Sequence, residues 1–271
     1  MKDLQNKIVL ITGGGEGLGK LMALHFAREG SRVVIWDINR EAAEQVVDQI
    51  KLSGGHGFAL ECNVTNREEV YKLAGMVKKE IGKVDVLVNN AGIVNHKTFL
   101  ESSDEEILNT MNVNAISHFW TTRAFLPEMI EENSGHIVTI ASSAGWIGVA
   151  GLADYCASKF AIVGFDEALR MEFLKKGLSG MKTTCVTPFF IDTGMFEGLR
   201  TKFDFLLPVL KEEDVAKEIV KAVKNDQAYL KMPWMINAIP MFRLIPTALM
   251  DWAADFLGVN ENIEEFKGRN Q

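Results

Sequence analysis

Cysteine is scarce: Cys62, Cys156 and Cys185 are the only three in 271 residues. They are odd in number and follow no CxxC or Cys/His spacing, which fits a reduced, cytoplasmic setting better than a disulfide scaffold. The five histidines, His25, His56, His96, His118 and His136, never recur at metal-ligand spacing, so no metal site is expected. Excess positive charge is missing as well. With 29 Lys and Arg against 36 Asp and Glu, the net charge of −7 offers no footprint for a phosphate backbone, so nucleic acid is not expected as a partner. A long apolar run is absent near the start, where the apolar stretch Ile8–Ile11 is too short for a signal peptide or spanning helix. No N-terminal anchor is expected.

What remains is a chain with 47% hydrophobic and 24% charged residues, enough apolar material for a sizeable core. No linker, repeat or low-complexity stretch divides it, and we expect one domain over residues 1–271. Short Val- and Ile-rich runs alternate with longer helical patterns. Strands are predicted near 7–12, 31–36, 57–62, 84–89, 136–141, 182–187 and 228–231, and helices near 17–29, 40–52, 66–81, 103–130, 153–176 and 212–224. This order implies an α/β fold, a Rossmann-like doubly wound parallel sheet of about seven strands with helices on both faces. Such sheets bind ligands at the carboxyl ends of their strands, near the switch point.

The first strand runs into Thr12-Gly13-Gly14-Gly15-Glu16-Gly17-Leu18-Gly19 and then a helical pattern. Glycines there let the backbone turn tightly against a pyrophosphate, whose charge the helix N-terminus stabilises. The run departs from GxGxxG, since Leu18 holds the sixth position from Gly13. Asp37 closes the second strand, about 20 residues past the glycines, where a carboxylate accepts from ribose hydroxyls and repels a 2′-phosphate. That favours NAD. Glu16 adds negative charge nearby, Arg40 is the one neighbouring group of the opposite tendency, and an ordinary helix N-cap is the plainer account of Asp37.

Three further segments are Asn89-Asn90-Ala91-Gly92, Ser142, and Tyr155-Cys156-Ala157-Ser158-Lys159. Together with the glycine run they resemble the short-chain dehydrogenase/reductase family, whose marks are TGxxxGxG, NNAG, a serine and YxxxK, over roughly residues 5–195. The resemblance implies a nicotinamide-dependent oxidoreductase in which Tyr155 exchanges a proton with an alcohol or carbonyl. Ser142, thirteen positions earlier (155 − 142), is the implied holder of the substrate oxygen, with Ser143 the competing candidate. Asn114, within Asn112-Val113-Asn114-Ala115, is the implied fourth catalytic residue, though an Asn in a helix is often a surface residue. Implied cofactor contacts are Gly13, Gly15, Glu16, Gly17, Leu18, Gly19, Asp37, Asn63, Val64, Asn90, Ala91, Gly92, Tyr155, Lys159, Pro188 and Thr193. Two departures stand out: Asn63 where Asp is usual, and Phe189-Phe190 after Pro188 where Gly is usual.

The chemistry of Tyr155 and Lys159 can be read directly. Four residues apart on a helix, they share one face. Lowering a phenol by about three pKa units takes roughly 4 kcal/mol, and one cation about 4 Å away at an effective dielectric near 20 supplies that order of energy.

After the sixth strand, Phe189, Phe190, Met195, Phe196, Leu199, Phe203, Phe205, Leu206 and Leu207 predict an apolar substrate loop over 189–208. Phe189, Phe190, Met195 and Phe196, with Ser142 and Tyr155, are the candidate substrate contacts. Thr193–Gly198, Leu206-Leu207-Pro208, Glu213–Ala216, Pro246 and Phe256–Val259 are similar to the branch holding epidermal retinol dehydrogenases and type 11 and 13 17-beta-hydroxysteroid dehydrogenases. That implies a lipophilic alcohol or carbonyl substrate. Residues 233–271 are expected to form an apolar C-terminal lid or interface segment. Pro233, Pro240, Pro246, Arg243 and Asp251 disfavour a spanning helix there. From Thr247, Leu249, Trp252, Ala253, Phe256 and Leu257 share a helical face, which a lid, a subunit interface or a peripheral membrane contact would each bury. Family habit implies a homodimer or homotetramer built on the helices near 103–130 and 153–176. An NADPH-dependent reductase of apolar ketones and a non-catalytic dinucleotide-binding scaffold are the alternatives.

Overall fold

The computed structural model describes residues 3–192, 209–238 and 244–256. Its strands are β1 (Ile8–Thr12), β2 (Arg32–Asp37), β3 (His56–Glu61), β4 (Val86–Asn89), β5 (Gly135–Ile140), β6 (Met181–Pro188) and β7 (Tyr229–Met232). They form one sheet in the order β3-β2-β1-β4-β5-β6-β7, with every pairing parallel. Order reverses between β1 and β4. That switch point is where an open α/β sheet leaves a crevice at its carboxyl edge.

Alternation along each strand explains the layers. Val9, Ile11, Val33, Ile35, Val86 and Val88 point to one face, where α1 (Gly17–Arg28), α2 (Arg40–Leu52) and α7 (Glu212–Lys224) cover them. Ile8, Leu10, Val34, Trp36 and Leu87 point to the other, beneath α3 (Arg67–Glu80), α5 (Ser117–Glu131) and α6 (Ala153–Lys175). A strand buried on both faces must be apolar at every position, which is why these runs read as continuous rather than alternating. Helix starts follow local rules: Asn39 and Asn66 accept from backbone N–H groups of α2 and α3, and Ser103 forms a capping box with Glu106 at α4 (Asp104–Met111).

The helix predicted over 103–130 runs from Asp104 to Glu131 and changes its winding once, at a π-helical turn, Asn112–Ile116, between α4 and α5 (Ser117–Glu131). The residues there, Asn112, Val113 and Asn114, are poor helix formers. Asn114 also turns its amide to a neighbouring loop rather than to solvent, a tertiary contact that periodicity cannot register.

Two buried histidines are expected to make the fold acid-sensitive. Burial, reinforced by the Lys159 charge, lowers His118 to about 3, and burial lowers His136 to about 3 from an ordinary 6.5. A depressed folded-state pKa gives stability that is present above pH 6.5 and lost as pH falls through about 3. Asp166, raised to about 6 by burial against the opposing hydroxyls of Thr139 and Thr183, acts in the other sense: its contribution is present below 3.8 and lost as pH rises through about 6. With two histidines against one carboxyl, the melting temperature is expected to fall from pH 6.5 toward 3, and His118→Phe to flatten that slope. Calorimetry across pH checks both.

Candidate active site

The turn after β1 is shaped by glycines that no other residue replaces. Gly13 (φ 62°) and Gly17 (φ 52°) lie in the left-handed region. A Cβ on Gly19 would sit 2.0 Å from the Gly13 carbonyl oxygen. At the start of α1, Glu16 supplies no side-chain cap, and the N-terminal end of a helix favours an anion. This cradle fits a pyrophosphate. Thr12 and Asn90 staple the turn to the segment after β4. Asn90 Nδ2 donates to the Thr12 and Gly13 carbonyls at 2.9 Å each, while Thr12 Oγ1 accepts from the N–H groups of Asn90 and Ala91 at 3.0 and 3.1 Å.

Asp37 stands at the end of β2 and faces the turn. Its Oδ2 accepts from Gly15 N at 2.8 Å and its Oδ1 from Asn39 N at 2.9 Å. The carboxylate therefore holds the glycine turn. Arg40 is engaged elsewhere, donating from Nε to Glu44 Oε1 at 2.8 Å. Asn63 turns its side-chain oxygen inward, accepting from Thr65 N at 3.0 Å and Thr65 Oγ1 at 2.7 Å, and Val64 is buried in the α3–α5–α6 core.

Ser142, Tyr155, Lys159 and Asn114 gather beside this turn. Ser142 caps the short turn Ser143–Gly145, its Oγ accepting from Ala144 N at 3.1 Å, and its hydroxyl hydrogen-bonds the Tyr155 phenol. That contact favours Ser142 over Ser143, which is buried. Tyr155 and Lys159 are 6% and 4% exposed, on the first turns of α6. Asn114 Oδ1 accepts from Ile93 N at 2.7 Å; its Nδ2 donates to Ile93 O at 2.8 Å and to Ser158 Oγ at 3.2 Å. Ser158 Oγ in turn donates to Tyr155 O at 2.7 Å, tying the π turn to α6.

Lys159 Nζ lies 5.5 Å from the Tyr155 ring centroid and donates to the Ile140 carbonyl at 2.9 Å. Burial raises Tyr155 to about 12, against a lowering by Ser142, and burial lowers Lys159 to about 8. Taking each group out of water disfavours its charged form.

On the far side, Pro188 ends β6 regularly despite the missing glycine, and Phe189 N donates to Met232 O at 2.7 Å. Phe189 is buried and packs edge-on against Phe190 with centroids 4.6 Å apart. Parallel bridging of Ile191 and Leu210 brings together the two chain ends that flank residues 193–208. Thr193, Met195 and Phe196, with Leu199, Phe203, Phe205, Leu206 and Leu207, lie outside the described residues. Sequence reasoning missed Thr12 and Ser158 as staples, although both stand inside the motifs it quoted, and it missed the Ile140 carbonyl, which no side-chain pattern reveals.

Comparison with known proteins matches residues 7–204 to the family described as short chain dehydrogenase. The chain belongs to the short-chain dehydrogenase family. As a member it is an oxidoreductase of the kind that takes a nicotinamide dinucleotide. It is 46% identical to epidermal retinol dehydrogenase 2 of Mus musculus, an alignment spanning 100% of this chain and 88% of that protein. It is 40% identical to retinol dehydrogenase 10 of Rattus norvegicus, over 98% of this chain and 86% of the relative. Among solved structures, a short chain dehydrogenase/reductase from Burkholderia phymatum in complex with NAD shares the fold at a TM-score of 0.80 and 24% identity, covering 100% of this chain and 99% of that one. A metagenomic short-chain oxidoreductase in complex with NADP superposes at 0.71 and 26% identity, over 84% and 95%. No helix among the described residues is long and apolar enough to cross a membrane.

Proposed function

We propose that this protein is an NAD-dependent dehydrogenase that interconverts a lipophilic alcohol, such as a retinoid, a steroid or a long-chain alcohol, with its carbonyl. The supporting observation is the convergence of the Ser142 hydroxyl, the Tyr155 phenol and the Lys159 ammonium beside a glycine turn shaped for a pyrophosphate. When bound, the dinucleotide supplies the hydride acceptor. Gly13, Gly15, Glu16, Gly17, Leu18 and Gly19 would hold its pyrophosphate, Asp37 its ribose, Asn63 and Val64 its adenine, and Asn90, Ala91, Gly92, Pro188 and Thr193 the nicotinamide half. Ser142 orients the substrate oxygen by hydrogen bond. Tyr155 takes the alcohol proton, and in the reverse direction returns it. Lys159 stabilises the phenolate, and Asn114 holds the backbone at Ile93 beside them.

The pKa order fixes a pH dependence. The competent form has a phenolate and a charged lysine. With the phenol at about 12 and the lysine at about 8, its population rises tenfold per pH unit up to about 8 and then levels. Alcohol oxidation is therefore expected to climb with a slope near one to about pH 8 and flatten above it, a profile that steady-state kcat/KM measurements check.

The retinoid reading draws on the 46% identity to an epidermal retinol dehydrogenase and on the Phe189–Phe190 pair beside the cluster. NAD draws on Asp37, whose charge opposes a 2′-phosphate, and on Arg40 being paired with Glu44. The solved relative bound to NADP keeps an NADPH-dependent ketone reductase as the second reading. Asp37→Asn separates the two, since it removes the charge while leaving an acceptor for Gly15 N–H. NADPH affinity should rise by at least about tenfold, or about 1.4 kcal/mol. Tighter NADPH than NADH binding by the native protein would overturn the NAD assignment. The function itself is tested by NAD reduction with retinol, hydroxysteroids and long-chain alcohols. Binding of NADH with turnover of none would favour the non-catalytic scaffold.

We read residues 1–271 as one domain, with 189–208 as substrate loop and 233–271 as lid, subunit interface or peripheral membrane contact. Support for the last comes from Leu244, Leu249 and Trp252, 85%, 50% and 61% exposed. Half-exposed Phe119 on α5, stacked on Phe165 of α6, suits a dimer or tetramer interface on those helices.

A further inference from the structure

Asn95 and Asp154 belong to none of the motifs, yet they meet next to Tyr155. Asp154 is 7% exposed in the first turn of α6, whose N-cap, Leu152, has no side chain able to cap it. The Asp154 carboxylate does that work: Oδ1 accepts from Tyr155 N at 2.8 Å, beside the positive end of the helix. Its other oxygen faces the loop after β4, where Asn95 Nδ2 donates to Asp154 Oδ2 at 3.3 Å, to the fully buried Thr110 Oγ1 at 2.8 Å and to Glu106 O at 3.3 Å. One amide thus bridges α4, the loop and α6.

The loop is pinned on both sides of Val94. Ile93 is held by Asn114 at 2.7 and 2.8 Å, Asn95 by the bridge just described, and Lys97 by Glu106 at 2.6 Å. Val94 packs between these anchors against the cluster of Ala144, Leu152, Tyr155 and Cys156. The backbone that carries Val94 and the backbone that carries the phenol are therefore joined by this amide–carboxylate contact, beside the separate link from Ile93 through Asn114 and Ser158 to the Tyr155 carbonyl.

We propose that Asn95 and Asp154 form a positioning clamp that sets the distance between the Tyr155 phenol and the Val94 wall, so that both proton transfer and substrate seating depend on it. The clamp rests on the reading of Tyr155 as the group that exchanges the substrate proton. Neither residue touches the reacting atoms. Each acts through Tyr155 or Val94.

The full-length protein is compared with Asn95→Asp, Asp154→Asn, Asn95→Ala and the exchanged double variant, using retinol and NAD. Asn95→Asp sets two carboxylates face to face, and kcat should fall about 100-fold near pH 8, the scale of a 1 Å misplacement. KM should rise with it. The ratio to the parent should recover toward pH 6, where the facing pair takes up a shared proton. The exchanged double variant, with amide and carboxylate reversed, should return to within about threefold of the parent, as coupled neighbours do. Asn95→Ala, which adds no charge, should lose about tenfold at every pH. Parent-like kcat and KM in Asn95→Ala, a pH-independent loss in Asn95→Asp, or losses that simply sum in the double variant would each overturn the clamp. Should the parent turn over no alcohol at all, the dehydrogenase reading fails instead. Melting temperatures then judge the clamp alone: stability lost in Asn95→Asp and regained in the double variant supports it, and summed losses overturn it.

Discussion

Tyr155→Phe is expected to lower kcat/KM for every alcohol by about 10³-fold or more, the upper part of the range for removing a general acid–base group and about 4 kcal/mol of transition-state stabilisation. Phenylalanine keeps the ring that packs with Ala144, Leu152 and Cys156, so the fold should be undisturbed. What disappears is one oxygen, the partner of Ser142 and the group assigned the proton exchange with the substrate. The affinity for NADH should stay within about twofold of the parent, since the glycine turn and Asp37 are untouched. Retention of a tenth of the activity would sink the proton role assigned to Tyr155. A large loss of NADH binding would instead mean that the substitution acts on the cofactor.

Gly19→Ala carries the second large effect. The added Cβ would meet Gly13 O at 2.0 Å and Gly13 C at 2.9 Å, both backbone, and Asn90 Nδ2 at 2.7 Å. Neither backbone atom can swing aside as a flexible side chain does. The turn must open, at a cost of about 1–3 kcal/mol in stability and with loss of the cradle that the first-turn N–H groups make. NADH binding is expected to weaken by at least about 100-fold, or about 2.7 kcal/mol, read by calorimetry. Gly164→Ala is the matched control: it lies in α6 with no atom within 4 Å of its Cβ, and a helix-interior alanine is favoured by about 1 kcal/mol. Equal NADH binding in the two variants would remove the glycine turn from the site.

Much of the site was legible because its chemistry is local. The glycine turn, Asp37 and the four-residue spacing of Tyr155 and Lys159 are properties of short segments, and a strand-to-helix junction or a shared helix face follows from them directly. The strands were legible for the same reason, since burial on both faces demands unbroken apolar runs such as Ile8–Ile11 and Val33–Trp36. Asn114 could be named from its pattern but not understood from it. Its amide bonds Ile93, twenty-one positions away, from within the π turn.

By itself the sequence determined the parallel sheet, the order of its elements and the residue types at the carboxyl edge, because each depends on periodicity or on neighbours a few positions apart. Only the tertiary structure decided how those groups behave. Lys159 donates to the Ile140 carbonyl, burial pushes Tyr155 up to about 12, Asp37 supports the glycine turn, and Asn95 reaches Asp154 across fifty-nine positions. The physical reason is the same throughout: burial and long-range hydrogen bonds set the energy of a polar group, and both arise only once distant segments have packed together.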